Sequence, residues 1–204
     1  MRRLLCIGLV SALTVSACTG SLFHSNAPPP STYLLSVKGA AAGALMPTDL
    51  TVLTPRVPTG LETDHIAVLY PDRRLDYFAG ARWTGPLDEV IQDFALQAFR
   101  TYGQFRNVHT DTSAFGAGYW LEIDVVDFQA EYSAATVAPT VHVHFLARIG
   151  SSADRRVVAQ FEASSTHVAQ ADRMSAIVDA FNRAADEALT DVVAGTTRAL
   201  GRAH

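Results

Sequence analysis

The chain has 204 residues, 49% of them hydrophobic, with 16 basic against 20 acidic side chains and a formal charge of −4. That length supports one domain with a sizeable core, and that composition excludes an intrinsically disordered chain. No basic block could follow a phosphate backbone, so the sequence points away from nucleic acid, and with both cysteines (Cys6 and Cys18) in the first eighteen residues the remainder carries no disulfide framework.

The N-terminus reads as a processing signal. Met1-Arg2-Arg3 is a short basic region, followed by an apolar run from Leu4 to Val15. That run is too short for a bilayer core, which needs about 20 residues, and has the size of a secretory segment. Val15-Ser16-Ala17-Cys18 then has the form of a lipobox, in which the cysteine thiol is diacylated and the chain is cut before it. An ordinary secretory signal with an incidental cysteine is the plainer alternative. Cleavage there would remove residues 1–17 with two positive charges and leave Cys18 as the lipid anchor, its buried methylenes contributing about 0.8 kcal/mol each. Residues 18–31 hold the lipidated cysteine and a tether containing Pro28-Pro29-Pro30, stiff enough to stand the domain roughly 20–40 Å off the membrane. The folded domain is expected over 32–200.

Thr32–Val37, Leu50–Thr54 and His65–Tyr70 are short strand candidates, and Gly39–Gly43 is a loop. Pro71–Arg74 makes a turn from which Leu75–Ala79 returns as a hairpin partner, with Leu75, Tyr77 and Ala79 on one face and Asp76 and Phe78 on the other. A helix follows. Gly85 serves as its cap and Pro86 as its first residue, and Asp88 and Glu89 put negative charge in the first turn. Leu87, Val90, Ile91, Phe94, Ala95, Ala98 and Phe99 form its apolar stripe, and Gly103 is its stop. Burying five large side chains at about 1.5–3 kcal/mol each gives roughly 8–15 kcal/mol gross, so this helix must lie against a sheet.

Phe105–His109 is a brief strand. Tyr119–Tyr132 is longer and changes phase. Leu121, Ile123 and Val125 alternate in one register, then Val126, Phe128, Ala130 and Tyr132 in the other. A one-residue slip flips every side chain, so a β-bulge near Val125–Val126 is expected. Val141–Ile149 and Arg156–Thr166 complete an antiparallel meander, and a second helix spans about Asp172–Thr197. Together these predict a single α+β domain, a mainly antiparallel sheet with two long helices on one face.

No nucleophile elbow, phosphate loop, zinc-protease or dinucleotide motif occurs. His142 and His144, two apart on a strand, point the same way and could share a metal with Glu122 or Asp124. Two ligands do not make a site, and the favoured reading is that both occupy a solvated face with Glu122, Asp124, Asp127 and Glu131. No cofactor is implied. Tyr77, Phe78, Arg82 and Trp83 are the candidates for partner binding, since aromatic residues and arginine concentrate in interface cores. The alternative is that Tyr77 and Trp83 cap the helix–sheet core.

The stretch Leu61–Val108, with YFAGARW ahead of its aliphatic helix, resembles the ABC-type transport auxiliary lipoproteins, the PqiC-like family. The similarity continues through DFQAEY in Tyr119–Tyr132, Val141–Ile149, RRVVAQFEA from Arg155 and the last helix. Thr84-Gly85-Pro86 departs from a more polar helix start in the family. The resemblance implies a periplasmic lipoprotein, without catalysis of its own, serving an ABC transporter that carries an MCE-domain protein. It implies phospholipid or other hydrophobic cargo, attachment to the periplasmic side of the outer membrane, and the capacity for homo-oligomeric rings. Thr19 rather than aspartate after the cysteine agrees with outer-membrane export. A regulatory or assembly lipoprotein of another envelope machine, such as a cell-wall synthase or lipopolysaccharide exporter, is the competing assignment.

Overall fold

The computed structural model describes residues 29–39, 46–103, 105–114 and 116–202. The expected signal, the lipobox with Cys18, most of the tether and most of the Gly39–Gly43 loop lie outside the described residues. The elements are β1 (Ser31–Tyr33), β2 (Met46–Val52), β3 (His65–Leu69), β4 (Leu75–Trp83), α1 (Leu87–Thr101), β5 (Phe105–Thr110), β6 (Tyr119–Glu131), β7 (Thr140–Ser151), β8 (Arg156–Val168) and α2 (Met174–Gly201).

β6 is the spine of one eight-stranded sheet. Along one edge it pairs over its whole length with β7, which in turn pairs with β8, both antiparallel. On its other edge β2 pairs with its start and β3 with its end, both parallel. β5 lies parallel to β2, β4 antiparallel to β3, and β1 parallel to β4. The sheet is therefore mixed, correcting the mainly antiparallel expectation. Side-chain alternation reports which face is buried, not which way the neighbour runs. The parallel partners are joined only through long connections carrying other elements, as parallel pairing demands.

The expected bulge is present. Val125 opposes Phe145 and Asp127 opposes His144, leaving Val126 unpaired and exposed. Leu121, Ile123, Val125, Phe128 and Ala130 thereby stay on one buried face, beside Val141, Val143, Phe145, Ala147 and Ile149 of β7. Both helices cover that face, and strands and helices share one apolar cluster. The expected stripe of α1 is buried throughout, with Leu96 added. Its start lies one residue later than expected: Pro86 is the cap, with extended backbone (φ −52°, ψ 146°), and the N–H of Leu87 donates to the Thr63 carbonyl at 3.1 Å. No helix among the described residues is long and apolar enough to cross a membrane.

The first strand is shorter than expected, because the chain after Tyr33 leaves the sheet. Leu35 enters the core and the backbone of Ser36 pairs with the side chain of Asn182 instead of a strand. At Gly39 the N–H donates to the Tyr102 hydroxyl (2.8 Å), which donates to Asp186 (2.9 Å). Partial burial and then the Asp186 contact push Tyr102 above the ordinary tyrosine range, against the opposing Gly39 bond. Residues 34–39 thus form a strap joining the tether to both helices.

Candidate functional site

The partner-binding candidates all sit on β4, and a backbone irregularity decides where each points. Ala67 opposes Tyr77 and His65 opposes Arg82, so five steps along β4 face two along β3. Gly80, with φ of 70°, takes up the excess in a left-handed conformation that glycine tolerates without steric cost. Before it, Tyr77 is exposed and Phe78 half-buried against the core; beyond it, Ala81 and Trp83 turn inward.

Trp83 is consequently 2% exposed, with its ring edge-on to Phe181 (5.3 Å) and to Phe128 (5.9 Å). It is the keystone between sheet and α2 and offers no surface to a partner, which corrects its inclusion among the docking residues. Tyr77 and Arg82 do reach the surface. The Tyr77 hydroxyl donates to the Gly60 carbonyl (2.8 Å) and its ring lies 5.5 Å from that of His65. Arg82 lies 3.7 Å from Asp64. The structure therefore divides the four residues among an outer face, an inner groove and the core.

Phe78 lines a groove of about 370 Å³ with Tyr33, Gly80, Tyr132, Asp172 and Arg173. β1 forms one bank and the start of α2 the other, and Ser31, where the tether joins the fold, lies at its rim. The Tyr132 hydroxyl donates to Asp172 at 2.5 Å. Burial, then that carboxylate, push Tyr132 far above the ordinary tyrosine range, so it remains a neutral donor. The ring of Tyr132 stacks on Tyr70 (5.7 Å), and the Arg74 guanidinium covers Tyr70 at 4.4 Å. Of the aromatic rings that line the groove, that of Tyr132 is thus held by Tyr70 and Asp172, giving one fixed wall of the kind interface anchors fit. Tyr33, Tyr70, Tyr132 and Asp172 lie far apart in sequence, and no local pattern could have grouped them.

His142 and His144 share the outer face of β7, as their spacing implies. His144 lies between Asp127 (3.6 Å) and Glu162 (3.3 Å), and His142 faces Glu131 (3.7 Å). Each imidazole meets separate carboxylates, and among the described residues no group of ligands could enclose a metal ion. Glu122 and Asp124 are not freely solvated. Arg148 reaches Glu122 at 3.1 Å and also bonds Asp124, while Arg56 bonds Glu122 from the segment after β2. This part of the acidic face is an ion-pair cluster that stays partly open to water.

A family model of the ABC-type transport auxiliary lipoprotein component matches residues 33–193. Among solved structures, protein XCC0632 from Xanthomonas campestris superposes with a TM-score of 0.76 at 24% identity, covering 84% of this chain and 98% of that one. Hypothetical protein CT253 from Chlamydia trachomatis shares the fold at a TM-score of 0.54 and 6% identity, covering 74% of this chain and 96% of that one. No curated relative matches the chain.

Proposed function

The chain belongs to the ABC-type transport auxiliary lipoprotein component family, and from that premise we propose that it is a non-catalytic subunit, anchored through Cys18 at the periplasmic side of the outer membrane, that docks an MCE-domain protein of an ABC transporter moving phospholipid or other hydrophobic cargo. The observation that carries this reading is the extent of the family match, which runs from β1 into α2 and so spans nearly the whole fold. The groove around Phe78 supports a docking role on physical grounds. It is preformed, its aromatic walls lose little conformational freedom on binding, and it opens beside the residue where the tether joins the domain. A partner held there would sit at the end of the domain that the tether joins.

The test is recovery of partners from membranes with the full lipidated protein, read by mass spectrometry. Capture of an MCE-domain protein and its ATPase is expected, with loss on Phe78→Ala and retention on a Tyr77→Ala, Arg82→Ala double variant of the opposite face. Retention by the first and loss by the second would move the docking surface to the outer face. Capture of a cell-wall synthase or lipopolysaccharide exporter in place of the transporter would overturn the assignment.

A further inference from the structure

A second groove, of about 450 Å³, lies on the far side of the molecule between the start of β8 and the last turns of α2. Its floor is apolar. The Phe161 ring packs against the helix at Gly195, where an added Cβ would come within 2.5 Å of it, and Val158, Ala159 and Ala199 complete the trough. Glycine inside a helix costs about 1 kcal/mol relative to alanine, and here it permits the close approach that lets Phe161 form the floor. The rim is cationic. Arg198 and Arg202 stand one turn apart at the mouth, both exposed, and neither has an acidic partner among the described residues. Among the described residues, Arg198 bonds through Nε to the Ala194 carbonyl one turn back, which leaves its other guanidinium nitrogens uncommitted there. Arg56, Arg74, Arg82, Arg148 and Arg156, by comparison, each face a carboxylate.

We propose that this groove binds a single anionic membrane lipid, with an acyl chain along Phe161, Val158 and Ala199 and the phosphate held by Arg198 and Arg202. An apolar trough ending at two uncommitted guanidinium groups matches a molecule that is itself apolar along its length and anionic at one end. Arginine presents paired N–H donors that fit a phosphate, and its methylene stem can cover apolar surface while the head stays wet. The volume lies within the usual range for small-molecule sites, about 300–1,000 Å³. This inference rests on the envelope setting given by the family but not on the docking groove, which lies at the opposite end of α2.

Native mass spectrometry of the detergent-released full-length protein tests it, with added phosphatidylglycerol, phosphatidylcholine or inorganic phosphate. One bound phosphatidylglycerol is expected, at least about tenfold tighter than phosphatidylcholine. An Arg198→Gln, Arg202→Gln double variant should abolish that preference, and Ala199→Phe, which fills the trough and keeps both arginines, should reduce binding of either lipid. Equal binding of the two lipids, or no effect of either variant, would overturn the proposal. So would full displacement by inorganic phosphate, which would leave only an anion contact. The membrane capture described above, repeated with the double arginine variant, separates the two readings: lipid lost with the transporter still recovered leaves both standing, whereas lipid bound by a protein that recovers no transporter sinks the docking assignment alone.

Discussion

The side chain of Asn182 hydrogen-bonds both backbone groups of Ser36. The Ser36 N–H donates to Oδ1 at 2.7 Å, and Nδ2 donates to the Ser36 carbonyl at 3.0 Å. Asn182 is itself buried in the middle of α2, so this amide acts as one rung of a ladder for a segment that has left the sheet. At Ser36, the strap carrying Leu35 into the core is therefore held by a single helix residue, apart from the Tyr102 bond further on at Gly39.

Replacing Asn182 with leucine should cost about 1–3 kcal/mol, since the two Ser36 backbone groups would lose their partner in a partly buried place. Urea denaturation gives the loss, and amide exchange should quicken selectively at Ser36 and its neighbours. Unchanged exchange there would show that burial of Leu35 and the Gly39–Tyr102 bond hold the strap without Asn182.

Trp83→Ala should be among the most destabilising single changes in the domain, at about 3–5 kcal/mol, because it empties the space between Phe128 and Phe181. Phe78→Ala, at a half-buried position, should cost clearly less. Thermal and urea unfolding of the two variants measure the difference. If Trp83→Ala left stability unchanged, the keystone role given to the indole would be wrong.

This pair of residues also marks where sequence reasoning reaches its limit. The stripe of α1, the meander and the Val126 bulge were legible because each is a local rhythm: 3.6 for a helix, 2 for a strand, and a phase slip where one residue is extra. The inward turn of Trp83 depends on the Gly80 bulge, and nothing in YFAGARW gives the register against β3. The parallel partners of β6 and the walls of the Phe78 groove join residues from Tyr33 to Arg173, so only the closed fold assembles them. Similarly, Glu122 and Asp124 alternate like residues of a wet strand, and Arg56, which covers them, arrives through a connection with no recurring pattern.

Arg148→Met should destabilise the domain by about 2–4 kcal/mol, somewhat under the usual 3–5 for a fully buried pair because the cluster stays partly open to water. The loss comes less from the missing attraction than from Glu122 and Asp124, left side by side with Arg56 as their remaining cation. Adding Glu122→Gln and Asp124→Asn to Arg148→Met should therefore restore part of the stability. A triple variant weaker than the single one would refute this, and chemical denaturation of the set closes the comparison.

Glu187 on α2 sets an acid dependence. Its Oε2 accepts the Ser165 hydroxyl at 2.6 Å and faces His167 Nε2 at 2.9 Å, both on the inner side of β8. The Ser165 bond first, then the His167 contact, hold the carboxyl below its ordinary value; the Arg183 charge adds to them and partial burial opposes. A carboxylate depressed in the folded state binds fewer protons there than in the unfolded chain. Its contribution to stability is therefore complete above the unfolded value of about 4.3 and is lost as pH falls through the lower, folded one. Glu187→Gln should be less stable than the parent at neutral pH, and the two unfolding free energies should converge on acidification. Because the group lies half in water, the gap is expected to be modest and to narrow with added salt. A gap that persisted unchanged below the folded value would mean that the variant disturbs packing between β8 and α2, not the charge on Glu187.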